Sequence, residues 1–457
     1  MGDLRGRVLA VWKRTLSLSW PLAVQQTLNT LMRTVDIVVT GLFSPAAVAA
    51  VGLADLYAQF PLRVGLSLGT GAITLSSQDT GRGDTHSRDR AITQALVIGF
   101  LLGLPLVVVG LTISHLLIEI LGAEAEVVRQ GAIYLAIIFA ASPMRIVGLV
   151  GARSLQGTGD TVTPMLINGG TNVINILLTV ALGLGLVGLP RLEIVGVALA
   201  TAISRTIEAL TVTGAIASPW TEPGLARPRG LTITRQLIWI SVPNFAEGLT
   251  SSLAQFPLNA MILLFGTEAN AAFHIGRRIY QQIGGPLYRS YSVASTIICG
   301  QSLGEGRPDE ARFGGLAITA FSLLTLGVAS AILFTWATPI AQVFTRDPVT
   351  LPYAIAFTQV FAAAIVIFGV FSPIAGTLRG AGDTTTPFVG RIIGTVVFLL
   401  GFSYVFGIHL GYGLPAIYAG ILLNYCCWVA VVLIGFFRGD WADKAARLID
   451  ERAATSD

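Results

Sequence analysis

Charge is what this chain has least of. Asp, Glu, Lys and Arg make up 12% of its 457 residues and hydrophobic types 53%, whereas an ordinary soluble domain is about 25% charged. A soluble globular protein is thereby excluded and an integral membrane protein indicated. Cysteine is nearly absent: Cys299, Cys426 and Cys427 lie in apolar segments with neither metal spacing nor a disulfide pair, and read as packing residues. The four histidines, His86, His115, His274 and His409, are scattered. With no H-E-x-x-H motif and no nucleophile elbow, an enzyme is not expected. The net charge of +4 belongs to no separate basic domain, which removes nucleic acid as a partner.

What fills the chain is a series of apolar runs of membrane-spanning length. Twelve are read, at 15–41, 47–78, 91–121, 127–156, 161–186, 192–217, 235–264, 269–301, 311–344, 349–379, 384–407 and 413–437. The first is too long, and with Arg33 and Asp36 too charged, to be a cleaved signal peptide, although "SPAAVAA" at 44–50 imitates a cleavage site. Lys and Arg number eighteen at one set of span ends and three (Arg129, Arg191, Arg346) at the other. The positive-inside rule therefore expects both termini of a multi-pass plasma-membrane protein in the cytoplasm.

The chain repeats itself. Ser154 to Pro164, "SLQGTGDTVTP", and Thr377 to Pro387, "TLRGAGDTTTP", agree at seven of eleven positions at an offset of 223 residues, where roughly one match arises by chance. At the same offset Gln78, Gly81 and Gly83 fall on Gln301, Gly304 and Gly306. Pro21 and Pro243 mark corresponding points of the first and seventh spans. The fold expected is all-α: twelve transmembrane helices in two six-helix bundles related by a pseudo-two-fold axis along the membrane normal. The expected domains are a first lobe at 1–217, a cytoplasmic linker at 218–234, a second lobe at 235–440 and a cytoplasmic tail at 441–457. The repeated phrase itself reads as a tight turn, with Gly157 or Gly159 ending one helix and Asp160 or Thr161 capping the next.

Ionisable residues at membrane depth are costly and mark function. In the first span Asn29 and Asp36 stand seven residues apart on one helical face. The fifth span adds Asn168, Asn172, Asn175 and Thr179, and the sixth Thr201, Arg205 and Glu208. Their counterparts in the second half are mostly apolar: Phe398 for Asn175, Phe402 for Thr179, Trp428 for Arg205 and Val431 for Glu208. A carboxylate backed by amide and hydroxyl oxygens in low dielectric suits a coupling ion, either a proton or a small hard cation held at Asp36 and Asn175. The bland alternative is that Arg33 neutralises Asp36 as a structural pair. Two further stripes recur every fourth residue, Asp55, Gln59 and Arg63 in span two and His274, Arg278 and Gln282 in span eight. They are expected to line a cavity for substrate, with interhelical packing the alternative. Glu247, four residues after Pro243, is a further candidate for cation or proton binding if the proline bends the helix and exposes it.

Taken in order, "SWPLAVQQTLNTLMRTVDIVVTG", "RSLQGTGDT", "GQSLGEGRPDEA" and "GTLRGAGDT" resemble the multidrug and toxic compound extrusion (MATE) transporters along essentially the whole chain. The resemblance implies a secondary antiporter that expels amphipathic, often cationic, small organic compounds by alternating access, in exchange for H⁺ or Na⁺. It implies no cofactor beyond that ion. It also implies a first-half ion site at Asp36 with Asn29, Asn175 and Thr201, and a hinge at Pro21. One departure stands out: where many relatives carry a second carboxylate in span five, this chain has Thr179, which coordinates a cation but does not titrate. The alternative is a lipid-linked oligosaccharide flippase of the same superfamily, suggested by Arg63, Arg145, Arg277 and Arg278. Besides substrate, the lipid bilayer is the expected partner, and the protein is expected to be a monomer.

Overall fold

The computed structural model describes residues 2–186 and 188–454; residue 187 of the expected first lobe, residue 1, and residues 455–457 of the expected tail lie outside the described residues. Helices account for nearly all of it, and no strand occurs among the described residues. The first six spans are Gly2–Gly41, Pro45–Arg82, Thr85–Glu119, the pair Ala125–Ala140 and Ser142–Thr158, Val162–Leu184, and Glu193–Ala217. The second six are Thr232–Leu253 with Gln255–Leu263, Thr267–Ile283 with Gly285–Gly304, Pro308–Thr335 with Ala337–Phe344, Thr350–Gly380, Thr385–Ile393 running on into Gly394–His409, and Leu414–Arg438. A last helix, Trp441–Ala453, occupies the expected tail.

Among the described residues, seven helices are by themselves long and apolar enough to cross a bilayer, and the fourth span, bent by 48° at Ala141, makes an eighth. The first two spans carry polar and charged side chains at depth, and the seventh and eighth are interrupted. The eleventh widens over Gly394–His409 into a helix bonded five residues back, ending with Leu410 N–H donating to the Val405 carbonyl at 2.8 Å. Lipid-facing stripes are plain: on the third span Leu101, Leu104, Val108 and Leu111 are 41 to 69% exposed at helical spacing.

The repeated phrase is a helix–turn–helix joint in both halves. Gly159 takes φ +101° and Gly382 φ +84°, a left-handed conformation that glycine adopts without a steric penalty. Asp160 Oδ1 then accepts the N–H groups of Val162 (3.1 Å) and Thr163 (2.9 Å). Asp383 likewise accepts the Thr386 N–H at 3.3 Å and its hydroxyl at 2.6 Å. The two aspartates satisfy the first free donors of the next helix.

The chain divides into two compact units. One comprises Met1–Ala23, Gly81–Gly83 and Val242–Asp450, and the other Val24–Thr80, Asp84–Ser241 and Glu451–Asp457. These limits differ from the contiguous lobes expected from the repeat, because the first and seventh spans each change unit part-way along. The changeovers fall two residues after Pro21 and one residue before Pro243. In the first unit, Trp12 Nε1 donates to the Ala317 carbonyl at 2.9 Å and Arg7 pairs with Glu310 at 2.8 Å, fastening the start of span one to span nine. In the second unit, Thr234 at the start of span seven donates to Gln94 of span three at 2.9 Å. The helix of span one runs unbroken through Pro21, whose missing N–H leaves the Ser17 carbonyl without its usual partner.

The core of the first unit is aromatic: Tyr280 stacks on Phe361 at 5.0 Å, Tyr288 on Phe368 at 4.6 Å, and Tyr425 meets Trp428 edge-on at 4.9 Å. The second unit buries a polar cluster within its apolar core. There Arg452, from the end of the last helix, is buried against the equally buried Asp79 at 2.9 Å and also donates to Gln78 and Gln236.

Candidate functional site

The polar interior of the second unit is assembled where the later half of span one lies beside spans five and six. Thr179 Oγ1 donates to Asp36 Oδ1 at 3.0 Å. Two helical turns away, Asn172 Nδ2 donates to Asn29 Oδ1 at 3.2 Å. Both pairs span 143 residues, so the two helices run side by side in the same direction and in register. Asn175 and Thr179 are fully buried and Asp36 half-buried.

From Asn172 a second chain of bonds leads inward. Asn172 Nδ2 also donates to Asn168 Oδ1 at 3.0 Å, Asn168 Nδ2 to Glu208 Oε1 at 2.8 Å, and Arg205 pairs with Glu208 Oε2 at 2.6 Å. Arg205 further reaches Met32 Sδ at 3.4 Å, back on span one. Asn175 Nδ2 donates to Thr201 Oγ1 at a longer 3.4 Å. Asn29, Asp36, Asn175, Thr179 and Thr201 thus come together as the sequence grouped them. Asn168, Asn172, Arg205 and Glu208 belong to the same network without having been among the candidate ion ligands. Their signal was the spacing 168, 172, 175 and 205, 208, which places each set on one helical face.

Two acceptor oxygens in this network, Asn172 Oδ1 and Asn175 Oδ1, are buried without a hydrogen-bond partner. Buried acceptors are nearly always satisfied. Asn175 lies one helical turn before Thr179 on span five, and carboxylate, hydroxyl and amide oxygens are the types a hard cation takes, while a carboxylate alone suits a proton. Arg33 is exposed and forms no ion pair with Asp36 among the described residues; the ion pair in this network is the one between Arg205 and Glu208. Tight pairing of Arg33 with Asp36 as a structural couple is therefore not what the chain does.

The other candidates separate. Asp55 is exposed and Gln59 and Arg63 are half-buried on span two; His274, Arg278 and Gln282 are all exposed on one face of span eight. The expectation that Pro243 exposes Glu247 is corrected. Glu247 is buried, with both carboxylate oxygens taken by Arg379 (3.0 and 2.9 Å) and Oε1 also by Arg391 Nε at 2.9 Å. Arg391 is itself held by Ser251 at 2.8 Å and lies 3.8 Å over the Trp428 ring. Two guanidiniums around one carboxylate leave local positive charge, which repels a cation. Helix bending at a proline exposes a side chain only when no neighbour covers it, and here spans ten and eleven do.

A family model settles the wider question: the MatE model matches residues 21–181 and 243–405, one copy in each half of the chain. The chain belongs to the MatE family. It is 25% identical over 449 residues to the "Probable multidrug resistance protein NorM" of Thermotoga maritima, covering 96% of this chain and 95% of that protein. To the protein of the same name from Rhodopseudomonas palustris it is 28% identical, covering 93% and 91%. Among solved structures it is similar to a MOP superfamily transporter from Pyrococcus furiosus, with a TM-score of 0.86 at 21% identity over 96% of both chains. That likeness gives this MatE protein the twelve-span, two-bundle fold of a multi-pass membrane transporter.

Proposed function

We propose that this MatE protein is a secondary exporter of amphipathic, cationic organic compounds, driven by H⁺ or Na⁺ entering through a site centred on Asp36. The observation that carries the proposal is the Thr179–Asp36 hydrogen bond, with Asn175, one helical turn before Thr179, keeping a buried amide oxygen without a partner. Relatives named as multidrug resistance proteins support the substrate class.

Chemistry follows from the donor set. While Asp36 is ionised, Thr179 donates to it. When a proton loads, the acid becomes a donor, and the Thr179 hydroxyl hydrogen turns away, with the Asn175 carbonyl four residues back as its natural acceptor. When Na⁺ loads instead, the same hydroxyl presents its lone pairs to the ion. Either change rearranges the contact between span one and span five. Pro21 lies on span one where the helix passes from one unit to the other, and it is the hinge at which such a rearrangement bends the span. Coupling requires that the loaded site favour one access state. The exposed stripes with Asp55 and with Arg278 are assigned to the substrate path, since charge at membrane depth faces water rather than lipid.

The flippase reading rests on arginines, and two of those are engaged by the protein: Arg145 donates to the Ala58 carbonyl at 3.3 Å and Arg277 to Gln255 at 2.5 Å. The deciding experiment is efflux by purified protein in liposomes under imposed pH and sodium gradients, one at a time, with organic cations and polyprenyl phosphates as competing cargo. Export of organic cations under either gradient supports the proposal. Transport of polyprenyl phosphate alone, or gradient-independent flux, overturns it.

A further inference from the structure

We propose that the second unit carries a binding site for a phosphate-bearing anion, foremost the headgroup of an anionic phospholipid, at the span ends that the arginine asymmetry assigns to the cytoplasm. A cavity of about 400 Å³ opens there between the start of span three, at His86, Asp89 and Arg90, and the connecting segment, at Leu225, Arg227 and Arg229.

Arg90 is the centre of the argument. It is only 5% exposed, yet among the described residues it forms no ion pair. Its guanidinium meets His86 Nε2 at 2.9 Å. A guanidinium only donates, so Nε2 accepts and the ring in this arrangement is neutral. Arg90 Nε is buried with no hydrogen-bond partner. A buried cation faced by a neutral ring lacks its counter-charge, and such charges are paired in native proteins.

The carboxylates beside the cavity are engaged elsewhere. Asp89 is held by Arg88 at 3.0 Å, and Arg88 also holds Glu222 at 2.6 Å. The cavity is lined by three arginines, Arg90, Arg227 and Arg229, against one carboxylate, Asp89, an excess of positive charge. The connecting segment is fixed over span three: the Ala226 N–H donates to Thr93 at 3.0 Å, and Gln94 donates to the Arg229 carbonyl at 3.2 Å. Arg227 and Arg229 are exposed beside the buried Arg90.

Planar guanidiniums converging on one cavity match phosphate geometry. The surroundings favour a lipid as its source. Trp220, Leu225 and Leu231 of the connecting segment are 87, 45 and 78% exposed, and apolar side chains with a tryptophan at a span end suit the bilayer interface.

The test uses the full-length protein in detergent, with native mass spectrometry reading the retention of phosphatidylglycerol, phosphatidylcholine or inorganic phosphate. Phosphatidylglycerol is expected to be retained over phosphatidylcholine, and the double variant Arg227→Gln/Arg229→Gln to bind it about 30-fold more weakly, two surface arginines being lost. Those residues are exposed, so the fold is kept. Arg90→Gln is expected to lose the lipid as well, with the thermal unfolding midpoint measured alongside to separate loss of binding from loss of fold. Retention of inorganic phosphate by the wild type and not the double variant, without lipid preference, supports the site with a soluble phosphate compound as occupant. Equal retention of phosphatidylglycerol by wild type and double variant, or no retention of either anion, overturns the proposal.

Discussion

Thr179 donates its hydroxyl hydrogen to Asp36 across the interface between spans one and five, at 3.0 Å. Replacing Asp36 with Asn keeps the shape and removes the exchangeable charge. Asp36→Asn is expected to fold and to bind substrate, while gradient-driven export in liposomes falls to the leak rate. Full export by that variant would remove the carboxylate from the mechanism.

Thr179→Val is nearly isosteric and deletes only the donor. A hydrogen bond to a charged group is worth about 1.5–3 kcal/mol, so the half-saturating concentration of the coupling ion should shift by about tenfold or more, with the maximal rate less affected. An unchanged ion dependence would mean that the hydroxyl is incidental.

Arg205 and Glu208 form a buried pair at 2.6 Å. Breaking one side leaves an uncompensated charge, and Arg205→Met should lower stability by about 3–5 kcal/mol. The double variant Arg205→Met/Glu208→Met should recover most of that loss, read as the thermal unfolding midpoint in detergent. Equal damage from single and double variants would show that the pair acts as separate hydrogen-bonding groups.

Glu247 gives a contrast with Asp36. Glu247→Gln leaves Arg379 and Arg391 without their shared carboxylate, so the protein should become less stable while ion-coupled export per folded molecule persists. A stable but uncoupled variant would instead make Glu247 an ion site.

Pro21→Ala restores an N–H to the helix where span one changes unit. Turnover is expected to fall several-fold with substrate affinity unchanged, measured by transport rate against equilibrium binding. A parallel loss of binding would point to packing rather than bending.

The sequence makes legible whatever depends on neighbours along the chain. The Gly159–Asp160 and Gly382–Asp383 joints need a left-handed residue followed by a cap, and both are written locally. The face shared by Asn29 and Asp36 follows from the helical repeat. What was not legible depends on partners far away in sequence. Glu247 meets Arg379 and Arg391 across 132 and 144 residues, and no local pattern distinguishes an acid so enclosed from one open to water. Arg452 finds Asp79 across 373 residues, from a stretch read only as a tail. The wide helix of Gly394–His409 arises in a mostly apolar run whose pattern, read along the sequence, is that of an ordinary membrane-spanning helix.

The changeover beside each proline bears on how the protein is made. Residues up to Ala23 emerge from the ribosome long before the spans they finally touch; the carbonyl that receives the Trp12 indole comes 305 residues later. The opening segment must therefore wait until about two thirds of the 457-residue chain has been made before that partner exists. For the same reason, the two halves expressed as separate polypeptides would have to trade their leading segments before either could settle.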